Sequence, residues 1–248
     1  MKRLLPYLAS ASALLFWLVC WHLLALRLNS EILLVTPLKV GARLGELVGR
    51  TDFWRAITTT LSNILRGFFL ACLVGIVLAA LSQHRGVFTL LNPPLSLMKA
   101  TPVASFTILV LFWVPSSSLA VVISFMMVLP IVYYNLYEGW RQVDPKLLEM
   151  ATVFRLGLWS RLRYIITPSI LPYFVSAISI GFGQAWKSGI AAEVIALPRN
   201  SIGINLYNAK LYLANADLLA WTVVIVLLSY LLEQGLLHLI RWLSERGG

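Results

Sequence analysis

The chain has 248 residues, 59% hydrophobic and only 12% charged, with a formal net charge of +10 and a mean hydropathy of +0.83. A soluble domain carries about 25% charged residues, so the composition excludes a soluble enzyme or nucleic-acid-binding module. It points to an integral membrane protein whose basic residues sit on loops and orient it in the bilayer.

Lys2-Arg3 precedes the apolar run Leu4–Leu26. The run is too long for the core of a signal peptide and ends in no small-x-small cleavage site, so it reads as an uncleaved first span with a cytoplasmic N-terminus. Residues 29–54 are more polar. Within them Lys39, Arg43, Glu46 and Arg50 recur at helical spacing opposite Leu44, Leu47 and Val48, which predicts an amphipathic helix on the outer membrane surface. Residues 1–54 thus read as a first span plus an external segment, and 55–243 as the transmembrane core.

The second span covers about 56–82 and is interrupted by Arg66. Gly67, Ala71, Gly75 and Ala79 recur every four residues, a stripe that lets another helix approach closely. After the polar turn Gln83–Gly86, Lys99 precedes an uncharged stretch from Ala100 to Tyr137 that is too long for one crossing of a ~30 Å hydrocarbon core. Pro115-Ser116-Ser117-Ser118 divides it into a third and a fourth span. The fifth runs from Pro168 to about Ile190 with a second small-residue stripe, Ala177, Gly181, Ala185 and Gly189. Lys187 and Glu193 interrupt its far end, and a sixth span covers about 218–240. The fold class is an all-α bundle of six transmembrane helices with both termini cytoplasmic. Cys20 and Cys72 lie inside apolar runs and read as small core residues, and His22, His84 and His238 have no metal-ligand spacing.

One stretch breaks the apolar pattern. Between the fourth and fifth spans, Arg141, Lys146, Arg155, Arg161 and Arg163 cluster. Asp144-Pro145 has the form of a helix start, with Asp as N-cap and Pro at the first helical position. Leu147, Ala151, Phe154 and Leu158 fall on one apolar stripe. Gly157 offers a turn, Ser160 a second cap, and Thr167-Pro168 a third where the chain turns apolar again. The segment reads as an amphipathic helix–turn–helix outside the bilayer, and the excess of basic residues on its side supports a cytoplasmic location.

Catalytic chemistry is absent from the sequence. Gly181-Phe-Gly-Gln-Ala-Trp186-Lys187-Ser188 almost spells a phosphate-binding loop, but Trp186 stands where a glycine must let backbone amides close on phosphate. No Ser/His/Asp or Cys/His grouping stands out. A secondary transporter needs paired carboxylates in its spans, and only Glu193 and Glu233 come near that. An ATP-driven system places its engine on another chain and needs a cytoplasmic docking element.

The stretch from Glu149 to Pro168 resembles the Glu-Ala-Ala loop of the permease subunits of bacterial binding-protein-dependent ABC importers. Glu149, Ala151, Ile165 and Pro168 match its pattern; Met150 and Thr167 replace the middle Ala and a Leu, and Arg155 stands at the motif glycine, with Gly157 two residues later. The likeness covers about 55–243. Leu61-Ser62 through Arg66-Gly67, Pro102 and Ala191-Ala192-Glu193 also look like the family, most like its nitrate/sulfonate/taurine branch, which takes in permeases for pyrimidine precursors. The resemblance implies a type I importer permease in a bacterial inner membrane, not itself an enzyme. Its implied partners are a second permease copy, usually in a homodimer, a cytoplasmic ATPase subunit that binds ATP and Mg, and an extracytoplasmic solute-binding protein. It implies a coupling helix in which Glu149, Ala151, Phe154, Arg155, Gly157 and Leu158 meet the ATPase.

Along a translocation pathway for a small polar solute, Phe106, Trp113, Met126, Trp186, Lys187, Ser188 and Glu193 are the candidates, each weighed against core packing. Lys187 is an anion-attracting group in the pathway, or it snorkels to the outer interface or pairs with Glu193. A self-sufficient secondary transporter and a non-transporting membrane scaffold are the alternative readings.

Overall fold

The computed structural model describes residues 5–30 and 33–246, with side chains at 12–30, 33–236 and 238. All regular structure among these residues is helical. Helix α1 (Leu5–Leu28) leads to the amphipathic α2 (Pro37–Val48), which turns directly into α3 (Thr51–Leu81). Then come α4 (Arg85–Ala100), α5 (Val103–Val110), α6 (Ser116–Arg141) and α7 (Pro145–Val153). A last group comprises α8 (Leu158–Arg161), a π-helical turn (Leu162–Ile166), α9 (Thr167–Ala196), α10 (Ile202–Leu211) and α11 (Asn215–Arg246).

Four rods among the described residues are long and apolar enough to cross a membrane: Thr51–Leu81, Ser116–Arg141, Leu158–Ala196 and Asn215–Leu236. Two further candidates remain of the six expected. One is α1, a helix of 24 residues. The other is the pair α4–α5, whose 16 and 8 residues are each too short to cross alone at 1.5 Å per residue. The sequence places the start of this third rod at Ala100. The structure begins it at Arg85 and breaks it at Thr101-Pro102, where the proline pushes Thr101 to extended dihedrals (φ −79°, ψ 129°). Phe88 stacks on Tyr137, Asn92 and Ser96 bond the Tyr134 hydroxyl, and Val110 packs with Leu119 and Ile123. The broken rod therefore runs antiparallel along α6.

The two small-residue stripes make the centre. Lipid tails are as apolar as the side chains, so spans associate through close packing rather than through escape from water. Gly67, Ala71, Gly75 and Ala79 are all buried, as are Ala177, Gly181, Ala185 and Gly189. A Cβ on Gly75 would lie 2.8 Å from Val132, and one on Gly189 would lie 2.5 Å from Ile64. Those absent methyls let α3, α6 and α9 meet backbone to backbone. Ile64, Phe68, Val128, Val132, Tyr133, Phe182 and Trp186 fill the core between them.

Polar order appears at both ends of the bundle. One end gathers α2, the start of α3, the end of α9, α10 and the start of α11. The other gathers the ends of α3 and α6, α7, α8 and the π turn.

Candidate functional site

The second of these ends is an elbow. Asp144 is the N-cap of α7: its carboxylate accepts from the Lys146 amide at 2.9 Å, and Pro145 occupies the first turn, as the sequence predicts. Helix α7 then closes in a Schellman motif. The Leu156 amide donates to Ala151 O at 2.9 Å and the Arg155 amide to Thr152 O at 3.1 Å. Arg155 takes the left-handed position of that motif (φ 49°), the place usually given to glycine. Arg161 braces the same corner: its Nε donates to Leu156 O at 3.0 Å and its Nη2 to Ala151 O at 3.3 Å. Its guanidinium thus adds a second donor to Ala151 O, already bonded by the Leu156 amide, and ties it to the Leu156 carbonyl just past the helix end. Sequence reasoning counts Arg161 only among the clustered basic residues of the loop and misses this role; its sequence signal is a cation one short turn beyond a helix end.

Several expectations for this segment change. Leu147, Ala151, Phe154 and Leu158 do not form one face, because α7 ends at Val153 and the chain reverses at Arg155. Ala151, expected on an inserted face, is fully buried beneath Val143, Leu148, Leu156 and Ile165. Gly157 is an extended N-cap (φ −63°, ψ 158°), a conformation any residue adopts, and Ser160 lies inside α8 rather than capping it. Thr167-Pro168 starts no new helix. Pro168 has no N–H for the carbonyl four residues back, and the chain widens into the π turn and continues, so the elbow is rigidly joined to α9.

What the elbow leaves uncovered is apolar. Phe154 is 70% exposed and Leu158 78%, with Val153 and Trp159 equally open. Glu149, Arg155 and Gly157 are exposed beside them. Isolated apolar residues are common on any surface, but a contiguous group rimmed by charge marks an interaction site.

The opposite end is a clamp, closed on itself. Glu193 is completely buried; its Oε2 accepts from Thr60 Oγ1 at 2.8 Å and from the Gly203 amide at 3.2 Å. Thr60 Oγ1 in turn accepts from the Ile202 amide at 3.0 Å. The open amides of the first turn of α10 are thereby met by side chains from α3 and α9. A Cβ on Gly203 would lie 2.5 Å from the Glu193 carbonyl carbon, so only glycine fits there. Beside the clamp, Arg43 pairs with Asp217 and donates to Glu46 at 2.6 Å, joining α2 to α11. These bonds, Asp217 first, hold the guanidinium proton more firmly than usual. A polar cavity of about 170 Å³ opens next to them.

Of the residues expected along a pathway, three turn inward. Trp186 donates from Nε1 to Ile225 O at 3.2 Å, Ser188 bonds its own helix, and Glu193 serves the clamp rather than pairing with Lys187. Phe106 and Met126 are half-buried against Val110, Leu119, Ile123 and Met127. Trp113 is exposed in the turn before α6, and Lys187 is exposed on α9. The antiparallel register of α3 and α9 is fixed by Thr60 on Glu193 and by Phe68 edge-on to Phe182 at 5.4 Å. Arg66 lies between these contacts on α3 and Lys187 on α9, so two uncovered cations sit at one depth. Among the described residues no carboxylate pairs with either.

Residues 71–241 match the family described as binding-protein-dependent transport system inner membrane component. The chain is 27% identical over 237 residues to the taurine transport system permease protein TauC of Escherichia coli (strain K12), covering 93% of this chain and 86% of that protein. It is 25% identical over 193 residues to the bicarbonate transport system permease protein CmpB of Synechococcus elongatus, covering 77% and 69%. To the putative aliphatic sulfonates transport permease protein SsuC of Bacillus subtilis it is 23% identical over 209 residues, covering 82% and 74%. A solved amino acid ABC transporter, crystallised with histidines, superposes with a TM-score of 0.61 at 15% identity, over 79% of this chain and 93% of that one.

Proposed function

This chain belongs to the binding-protein-dependent transport system inner membrane component family, and on that premise we propose that its elbow seats a separate ATPase and its bundle carries a small anionic solute inward. It is a multi-pass permease, a translocation subunit and not an enzyme. Permeases of such systems work with an ATPase and a solute-binding protein.

The observation that carries the coupling reading is the uncovered apolar group Val153, Phe154, Leu158 and Trp159 on a corner held rigid by a Schellman motif and by Arg161. A seat that transmits force needs an apolar contact and a stiff mount. The continuous rod Leu158–Ala196 then carries motion from the elbow to the clamp. In this reading the elbow faces the cytoplasm, ATP and Mg are bound by the partner, and two copies of the chain flank the pathway. Relatives named for taurine, bicarbonate and aliphatic sulfonates support a solute that carries an anionic group. So do Arg66 and Lys187: a cation facing lipid at the centre of a span costs ~2.5–3.5 kcal/mol, and a watered pathway or a second copy removes that cost.

The test is co-purification and uptake. Phe154→Asp with Leu158→Asp, or Glu149→Lys, should leave the chain folded in the membrane while abolishing assembly with the ATPase and uptake. In the same assay Lys187→Met with Arg66→Met should lower uptake of an anion and spare stimulated ATP hydrolysis. Normal assembly by the elbow variants would defeat the coupling reading, and unchanged anion uptake would remove the two cations from it.

A further inference from the structure

A second basic site lies at the elbow end, apart from the coupling surface. The turn from α3 to α4 and the last turn of α6 enclose a cavity of about 480 Å³. Arg85, the first residue of α4, and Arg141, the last of α6, both line it, and no lining residue is acidic. Glu138, the nearest carboxylate in sequence, is not among the lining residues; it accepts from Gln142 Nε2 at 3.0 Å. The cavity therefore holds two guanidinium groups and no counter-charge of its own.

Its floor is built rather than incidental. Phe88 and Tyr137 stack at 4.6 Å and 15°, and Tyr137 lies parallel to Tyr133 at 6.1 Å. The Arg141 guanidinium sits over the Tyr137 ring at 6.0 Å, which restricts where it points. Ser82, only 2% exposed, accepts from the Tyr133 hydroxyl at 2.9 Å, so its own proton is left to donate. Two forked cations and a hydroxyl in one concavity are the donor set for a tetrahedral oxyanion.

Depth identifies the class of ligand. Leu81 ends one of the long apolar helices and Arg141 another, which puts the cavity at the polar end of these rods, the level of lipid headgroups. Basic pockets between helices at that level take anionic headgroups. We propose that the Arg85–Arg141 cavity is a phosphate-binding site, filled by the phosphodiester of an anionic lipid or by free phosphate. The bound anion braces the start of α4 against the end of α6, three residues before the cap of the elbow helix.

The experiment is native mass spectrometry of the full-length chain released from detergent, titrated with phosphatidylglycerol and with uncharged diacylglycerol. Phosphatidylglycerol should be retained and diacylglycerol lost. Arg85→Gln with Arg141→Gln should weaken retention by about tenfold or more, given two cations near the headgroup. Arg85→Lys with Arg141→Lys should keep most of it. Thr89→Asp, which leaves both arginines in place and adds a negative charge to the cavity wall, should abolish retention. Arg199→Gln with Lys210→Gln, at the clamp end, should change nothing. Millimolar inorganic phosphate separates the sources: displacement of the lipid means a site for free phosphate, and undiminished lipid adducts mean a headgroup site. Equal phosphatidylglycerol retention by the wild type, the double Gln variant and Thr89→Asp would overturn the proposal.

Discussion

The two ends of the bundle handle their polar and apolar groups in opposite ways. At the clamp, Glu193 Oε2 and Thr60 Oγ1 take up the Gly203 and Ile202 amides in the interior, only Glu193 Oε1 staying unbonded, and Arg43 and Asp217 tie the surrounding helices together. At the elbow the backbone is equally well braced, yet Phe154, Leu158 and Trp159 face outward with nothing over them. An end that closes its own bonds needs no partner to hold its shape, whereas an end that is stiff but uncovered is shaped for one. Stability measurements should therefore respond mostly to the clamp, and assembly measurements mostly to the elbow.

The sharpest way to break that contrast is Glu193. Removing its carboxylate strands the Gly203 amide and the Thr60 hydroxyl in a buried space. Glu193→Ala should cost about 3 kcal/mol, which lowers the thermal midpoint of a chain this size by roughly 6–12 °C. Glu193→Gln keeps an oxygen acceptor for both donors and should recover most of the loss. The two variants have to differ in differential scanning fluorimetry of the detergent-purified chain. If both melt alike, the polar bonds are not what secures α10, and packing against Gly203 alone holds it.

The contrast also shows what a linear reading captures. The glycine–alanine stripes were legible because a four-residue repeat of missing side chains has one physical use in a span, and α3, α6 and α9 meet along them. Asp144-Pro145 was legible because cap and proline act within a single turn. The break at Thr101-Pro102 was not, since the uncharged stretch starts the rod at Ala100, whereas Lys99 already occupies the last turn of α4. Ser160 and Thr167-Pro168 carried cap signals that tertiary continuity overrode, because the π turn lets the helix pass the proline. Trp186 and Ser188 are neighbours of Lys187 in sequence, but each helix step turns by about 100°, which sends them into the core and Lys187 outward. The Thr60–Glu193 bond spans 133 residues and has no local signature at all.

A smaller effect belongs to the mount of the elbow. Arg161 spends its guanidinium on Leu156 O and Ala151 O, and Arg161→Ala removes both charge-assisted bonds from a half-buried corner. The expected cost is about 1.5 kcal/mol, with a larger consequence for coupling than for folding, since the apolar group would lose its fixed orientation. Limited proteolysis should show faster cleavage within 154–160, together with reduced stimulation of the partner ATPase. Arg161→Lys should fall between, because an ammonium lacks the fork that reaches two carbonyls at once. Wild-type protection in Arg161→Ala would show that the Schellman bonds suffice without it.

The smallest effect concerns Arg155, where the chain departs from the glycine of the loop motif it resembles. A left-handed conformation costs a residue bearing a Cβ about 1–2 kcal/mol. Glycine avoids that cost but gives up about 0.5–1 kcal/mol through the greater freedom of its unfolded chain. The Arg155 side chain is exposed, so little contact is lost on its removal. The balance favours Arg155→Gly by about 0.5–1 kcal/mol, or a rise in thermal midpoint of roughly 1–4 °C. Arg155→Val should move the other way, because a β-branched side chain tolerates positive φ poorly. Gly157→Ala should be near neutral, since Gly157 has ordinary dihedrals and open space where a Cβ would go. The three substitutions separate backbone geometry from charge at one corner. If Arg155→Gly instead lowers the midpoint, the guanidinium itself holds the turn, and the elbow would depend on its basic rim as much as on its hydrogen bonds.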